Sequence, residues 1–232
     1  MNKLFSQANI SIDESQQKKF STYYEMLIEW NTKMNLTTIT DYEEVIEKHF
    51  IDSLKIMDYY ELTNKRIIDI GTGAGFPGIP LAIMNPKTEF VLMDSLQKRL
   101  TFLDEVCKEL CLNNVTLVHG RAEDLGQDSD YREMFDCAVS RAVAGLPVLC
   151  EFALPFVKID GEFVSYKAAK ASEELEQAKH AIDVLGGKLE HDELYQLPFS
   201  KANRHILVIK KDKHTPNKYP RRSGVPIKKP IV

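Results

Sequence analysis

The chain has 232 residues, 44% hydrophobic and 28% charged, a soluble globular composition with room for one core of about 150–200 residues and an appendage. No apolar run approaches the ~18 residues of a membrane span, and the N-terminus lacks a signal-peptide apolar region, so no membrane partner and a cytoplasmic location are expected. The net charge of −4 conceals an asymmetry: residues 201–232 carry ten Lys and Arg against one acid, Asp212, whereas residues 1–200 carry twenty against thirty-three. A cationic end on an acidic body points to a polyanionic partner held on one face, the alternative being a tail that is merely solvated.

Residues 1–62 read as a helical extension. Phe20, Tyr24, Leu27 and Met34 recur at helical spacing with Tyr23 and Trp30 beside them, and these rings read as core rather than nucleic-acid platforms. Asn31 to Thr40 breaks the pattern. Thr40-Asp41-Tyr42-Glu43 then offers a capping box that opens a helix through Val45, Ile46, His49, Phe50 and Leu54.

From 63 to 212 strands and helices alternate. The predicted strands are Arg66–Ile70, Glu89–Met93, Val115–His119, Asp136–Ser140, Glu162–Tyr166, Leu189–Leu197 and His205–Lys211. Amphipathic segments at Pro77–Met84, Lys98–Leu110, Leu146–Phe156 and Ser172–Leu185 lie between them. This alternation implies an α/β fold, a mostly parallel seven-stranded sheet covered on both faces, with ligands at the carboxyl ends of the strands. Residues 213–232 are left as a basic C-terminal tail. Cys107, Cys111, Cys137 and Cys150 form no C-x-x-C pair and read as buried, reduced thiols, with no metal site.

Between the first strand and its helix stands Asp69-Ile70-Gly71-Thr72-Gly73-Ala74-Gly75-Phe76-Pro77-Gly78. Such a turn brings backbone N–H groups to a ligand without obstruction by Cβ atoms. Gly73 to Gly78 fits the dinucleotide pattern G-x-G-x-x-G, which leaves a nicotinamide dehydrogenase open. The other parse, Asp69-x-Gly71-x-Gly73-x-Gly75, is the motif of S-adenosylmethionine-dependent methyltransferases, with Asp69 helping to orient the cofactor's ammonium. Asp94 follows Gly73 by 21 residues and suits the two ribose hydroxyls of an adenosine in either cofactor. Gly120-Arg121-Ala122-Glu123-Asp124 adds an acid where a methyltransferase sheet meets adenine, and together the three turns favour methyl transfer. The fourth strand ends in Ser140-Arg141-Ala142, without the polar-Pro-Pro-aromatic motif of amino-group methyltransferases. No cysteine is placed to attack a pyrimidine. An acceptor with a free lone pair is therefore expected, such as ring nitrogen seven of guanine, which needs alignment rather than a base.

These motifs, in this order, resemble the glucose-inhibited division protein B family, the small-subunit (16S) ribosomal RNA methyltransferases that form 7-methylguanosine. The resemblance extends to Asn35-Leu36-Thr37, His49 with Asp52-Ser53-Leu54, Lys98-Arg99, Lys167, and Tyr219 to Pro226. It implies a Rossmann-like class I methyltransferase sheet, S-adenosyl-L-methionine as cofactor, and a guanine in the decoding region of 16S rRNA as substrate. The partner would be 16S rRNA or a small ribosomal subunit precursor, and the enzyme a monomer. Gly71, Gly73, Gly75, Phe76, Asp94, Ala122, Glu123 and Arg141 would bind the cofactor, with Phe76 equally readable as a helix-start packing residue. Arg141 would be the catalytic residue, where cofactor, base and phosphate meet. Lys167, Arg221, Arg222, Lys228 and Lys229 would bind RNA. The rivals are a methyltransferase for another RNA, a protein or a small molecule, and a non-catalytic RNA-binding regulator of the same fold.

Overall fold

A computed structural model describes residues 1–169 and 171–232. Seven strands form one sheet in the order β3-β2-β1-β4-β5-β7-β6. They are β1 (Arg66–Ile70), β2 (Glu89–Asp94), β3 (Val115–His119), β4 (Phe135–Arg141), β5 (Val157–Lys167), β6 (Gly187–Gln196) and β7 (Asn203–Lys211). The first five run parallel, and β7 is antiparallel to both β5 and β6. The mostly parallel α/β sheet expected from the alternation is therefore present, with its antiparallel part confined to the last hairpin, where no helix separates β6 from β7.

Strand periodicity builds two core layers. Ile67, Phe90, Leu92, Cys137 and Val139 point to one face, where they meet α5 (Gly78–Met84), α6 (Gln97–Glu109) and the N-terminal helices. Their neighbours Ile68, Val91, Met93 and Ala138 point to the other, against α7 (Ala122–Leu125), α8 (Leu146–Ala153) and α9 (Ala171–Val184). A parallel strand buried on both sides shows no polar alternation, and the uninterrupted Phe90-Val91-Leu92-Met93 is the sequence consequence.

The N-terminal helices α1 (Asn2–Gln7) and α2 (Glu14–Asn31) share the first of these cores. A chain of rings carries them to the sheet: Phe5–Phe20 at 4.9 Å, Phe20–Phe50 at 5.2 Å, Tyr23–Phe50 at 5.3 Å and Tyr23–Phe76 at 5.5 Å. The aromatic spacing thus serves packing. The next helix starts one residue later than the expected capping box: Asp41, not Thr40, is the N-cap and accepts from Glu44 N at 3.0 Å. The capping box itself sits at α2, where Asp13 and Gln16 cap reciprocally. After α3 (Tyr42–Val45) the helix widens into a π segment, Ile46–Ile51, before closing in α4 (Asp52–Leu54). Single π turns inside helices recur at functional sites, and here Glu47 and His49 within the turn and Asp52 just after it meet three different targets described below.

Cys137 and Cys150 are buried as expected, but Cys111 is exposed. It follows α6 in a left-handed conformation with φ of 51°, between the buried Leu110 and Leu112.

Residues 213–232 are not a loose tail. Arg132 donates to Thr215 O at 2.7 Å and to Tyr219 O at 2.8 Å. Gln127 donates to Pro220 O at 2.9 Å, and Tyr219 and Ile231 are buried in the second core. The segment ends in α10 (Val225–Lys228). Its basic composition concealed these anchors, which are backbone carbonyls and so carry no sequence signature.

Candidate active site

The connections after β1 and β4 leave the sheet towards opposite faces, which opens a crevice between these neighbouring strands at their carboxyl ends. A cleft of about 870 Å3 occupies it, within the range of small-molecule sites. Its floor is the glycine turn, with Gly71, Gly73 and Phe76, flanked by Asp94 and Arg99; Arg141, Lys167 and Arg204 close the other side.

Gly71, Gly73 and Gly75 all have positive φ, at 67°, 63° and 100°, but they do different work. A side chain at Gly73 would enter open cleft space, its nearest neighbour being Gly71 O at 3.9 Å. At Gly75 it would strike Ile79 and the Tyr23 hydroxyl at 2.7 Å. Gly73 keeps the cleft floor clear, whereas Gly75, expected beside the cofactor, is required by core packing.

Asp69, expected to help orient the cofactor's ammonium through backbone or water, acts on the turn itself. It is fully buried, and its Oδ2 accepts from Thr72 Oγ1 at 2.7 Å and from Gly78 N at 2.9 Å, so it braces the turn from within. Burial lifts its carboxyl to about 7. The unfolded chain releases this proton near pH 4, so the native state retains a proton that the unfolded state has lost over the window from about 4 to 7. The stability contributed by this group is complete below pH 4 and is lost as pH rises through 7. Relative to Asp69→Asn, the wild-type melting temperature should fall between about pH 4 and 7; parallel profiles for the two proteins would contradict this.

Asp94 ends β2 in the cleft wall. Its Oδ2 accepts from Gly73 N at 2.9 Å and Arg99 at 3.1 Å, and its Oδ1 from Leu96 N at 2.9 Å. Both oxygens already hold the two turns together, and their remaining lone pairs are what a ribose hydroxyl would meet. Ala122 and Glu123 stand outside the cleft lining. Glu123 accepts instead from Gly224 N at 2.9 Å and ties down the C-terminal segment.

Arg141 lies at the end of β4 with its guanidinium 5.1 Å from the centre of the Phe76 ring. Its fork is already committed: Nη1 donates to Lys48 O at 3.0 Å and Asp52 Oδ2 at 2.9 Å, and Nη2 lies 3.4 Å from His49 Nδ1. The expectation that cofactor, base and phosphate meet at Arg141 therefore applies to a guanidinium that these partners already orient. His49 stacks on Phe76 at 4.5 Å and its Nε2 meets Thr37 Oγ1 at 2.8 Å. Burial first, then the Arg141 charge, push the imidazole down to about 3, so it is neutral at physiological pH. Phe76 packs as a core ring and also lines the cleft floor.

The expected RNA contacts divide. Lys167 points inward, pairing with Glu174 at 2.8 Å and donating to Ala144 O at 2.9 Å with its side chain 8% exposed. Arg221 donates bidentately to Glu151, from Nε to Oε1 at 2.9 Å and from Nη2 to Oε2 at 2.6 Å, and Glu151 is fully buried. Neither is available to phosphate. Arg222, Lys228 and Lys229 are exposed. Arg221→Ala should therefore destabilise the fold by about 3 kcal/mol through an unpaired buried carboxylate, lowering the melting temperature by roughly 6–12 °C. A shift under about 2 °C would return Arg221 to the list of free cations.

Sequence reasoning assigned no role to Thr37, Asp52, Glu174, Tyr195 or Arg204, which brace or line the cleft. Asn35 to Thr37 and His49 with Asp52 already stood among the resembling motifs, but only the fold shows what they touch.

The family model described as rRNA small subunit methyltransferase G matches residues 16–207. Ribosomal RNA small subunit methyltransferase G of Alkaliphilus oremlandii is 53% identical, over 96% of this chain and 94% of the relative. Its namesake from Clostridium tetani is 47% identical over 100% and 97%. Among solved structures, a putative O-methyltransferase from Klebsiella pneumoniae aligns with a TM-score of 0.59 at 14% identity, covering 91% of this chain and 96% of that one. M. jannaschii TYW2, determined in complex with AdoMet, aligns at 0.54 and 21% identity over 69% and 74%. These two likenesses establish the methyltransferase fold. The near full-length identity to relatives that share one name goes further: the chain belongs to the rRNA small subunit methyltransferase G family.

Proposed function

We propose that this chain uses S-adenosyl-L-methionine to methylate ring nitrogen seven of a guanine in the decoding region of 16S rRNA. The observation that carries the reading is the family identity, about half of all residues over nearly the whole chain. The cleft fits the cofactor: Gly73 leaves open space above the turn, Gly71 makes room for Val143 in the wall, and Asp94 and Arg99 flank it. When bound there, the cofactor supplies an electrophilic methyl group on a sulfonium sulfur.

The chain's own residues provide alignment. Nitrogen seven carries no proton, so the acceptor needs to be held in line and shielded from water rather than deprotonated. This suits a cleft whose histidine is neutral and stacked and whose arginine is fixed by three partners. Affinity for RNA phosphates is assigned to Arg222, Lys228 and Lys229, which face solvent. A small-subunit precursor as the RNA form, a monomeric enzyme and a cytoplasmic location belong to the same reading; no helix of the described residues is long and apolar enough to cross a membrane.

The test is to incubate the protein with labelled cofactor and small-subunit RNA, then map 7-methylguanine by reduction and aniline cleavage. A single modified guanine in the decoding region is expected, and label on another atom or another RNA would overturn the assignment. Replacing Arg222, Lys228 and Lys229 by Ala should reduce the slope of log affinity against log salt by up to about 3. Cofactor affinity should stay unchanged, and an unaltered slope would remove these residues from the interface.

A further inference from the structure

The outer hairpin of the sheet reaches back to the π segment that holds Arg141. Asp52 is the meeting point, with its side chain only 4% exposed. Its Oδ2 accepts from Arg141, while its Oδ1 accepts from the Tyr195 hydroxyl at 2.7 Å and lies 3.9 Å from Arg204 Nε. Tyr195 on β6 and Arg204 on β7 are cross-strand partners in register. Two arginines on different elements thus face one buried carboxylate, and the tyrosine hydroxyl occupies the oxygen nearer Arg204. A second clamp lies one helical turn back, where Glu47 accepts from Phe199 N at 2.5 Å and Ser200 N at 2.8 Å at the hairpin tip.

We infer that Tyr195 is a positioning residue for methyl transfer: its hydroxyl fixes Asp52 so that the carboxylate serves Arg141 rather than Arg204. The inference rests on the proposed function for its kinetic consequence, but its geometry is that of the ligand-free protein.

The physical argument concerns a choice between partners. A carboxylate in a poorly solvated site keeps as many charged or polar donors as it can reach. With the hydroxyl present, Oδ1 is satisfied at hydrogen-bond distance and rotation towards Arg204 would break that bond. With the hydroxyl gone, Oδ1 keeps no hydrogen bond among the described residues and faces Arg204 at a stretched 3.9 Å, and closing that gap requires the carboxylate to turn. Turning weakens the 2.9 Å bond to Arg141 Nη1, and the guanidinium over Phe76 loses its fixed direction. The surrounding fold has independent support, since Tyr166 donates to Ser53 O at 2.7 Å and the Glu47 clamp does not involve Tyr195. Removing one hydroxyl should therefore disturb direction and leave the fold intact. Through this contact the β6–β7 hairpin, otherwise the solvent edge of the sheet, becomes part of the catalytic architecture.

The test compares wild type, Tyr195→Phe, Asp52→Asn and the double variant. In Tyr195→Phe, kcat on small-subunit RNA should fall roughly tenfold, the scale of losing a hydrogen bond to a charged group. KM for RNA, the dissociation constant for cofactor and the melting temperature should stay near wild type. In the Asp52→Asn background the same change should alter kcat less than about twofold, because the hydroxyl acts through the carboxylate. The second readout uses nitrogen NMR of the ligand-free protein, with the Arg141 signal assigned by its loss in Arg141→Lys. Rotation of that guanidinium should be hindered in wild type and freer in Tyr195→Phe. Unchanged kcat, full additivity with Asp52→Asn, or identical guanidinium rotation would each overturn the inference. If wild type fails to methylate rRNA, the proposed function fails instead, and the NMR comparison still decides the role of Tyr195.

Discussion

Arg141→Lys should lower turnover by about two orders of magnitude while RNA affinity changes little. The guanidinium reaches the Lys48 carbonyl, Asp52 and His49 from one planar fork, and Phe76 lies beneath it at 5.1 Å. Lysine keeps the charge but has a single ammonium on a flexible stem and cannot satisfy these directions together. Misplacement on the scale of an ångström costs about a hundredfold where the reaction depends on alignment. The substitution should also leave cofactor binding within a fewfold of wild type, because the glycine turn and Asp94 are unaffected. A single-turnover measurement separates these effects. Full activity in Arg141→Lys would show that the fork serves folding alone.

The same measurement has a pH consequence. His49 is the histidine lining the cleft, and burial with the Arg141 charge holds it down to about 3. It is deprotonated throughout the working range and does not change charge there. With an acceptor nitrogen that bears no proton, the methyl-transfer step should be flat from about pH 6 to 8. A rise following one ionisation in that window, in Asp69→Asn as well as in wild type, would require a titrating base and a different acceptor atom.

Gly73→Val should abolish measurable cofactor binding. Its side chain would project into the space at the cleft floor, where the nearest heavy atom of the protein is 3.9 Å away. The native φ of 63° is unfavourable for a β-branched residue by about 1–2 kcal/mol, so some loss of melting temperature is expected as well. The control is Gly75→Val, which meets Ile79, Tyr23 and Leu103 at 2.7–2.8 Å and should destabilise far more. Calorimetry with S-adenosylmethionine and thermal unfolding on both variants distinguish a binding glycine from a packing glycine. Retained binding in Gly73→Val would mean that the ligand approaches another part of the cleft.

The sequence by itself determined the sheet and the location of the site. Strand periodicity is a local property: Phe90-Val91-Leu92-Met93 must be buried on both sides whatever surrounds it, and Gly71 to Gly75 must turn where β1 ends. Strands β1 and β3 carry the bounds expected for them, Arg66–Ile70 and Val115–His119, and the other strands differ chiefly at their ends. Residue type, however, does not reveal a partner distant in the chain. Lys167 and Arg221 have the composition of RNA-binding cations, yet Glu174 and the buried Glu151 hold them inside the molecule. Glu123 has the position of a cofactor ligand and holds Gly224 instead. Arg141 was legible as a candidate site residue, but its three acceptors come from the π segment and the first residue of α4, some 90 residues earlier, and the bracing of Asp52 by Tyr195 spans 143 residues. Each of these outcomes depends on which charge finds a partner out of water. Desolvation makes a buried unpaired carboxylate costly enough to recruit the nearest cation, and only the tertiary structure decides which cation is near.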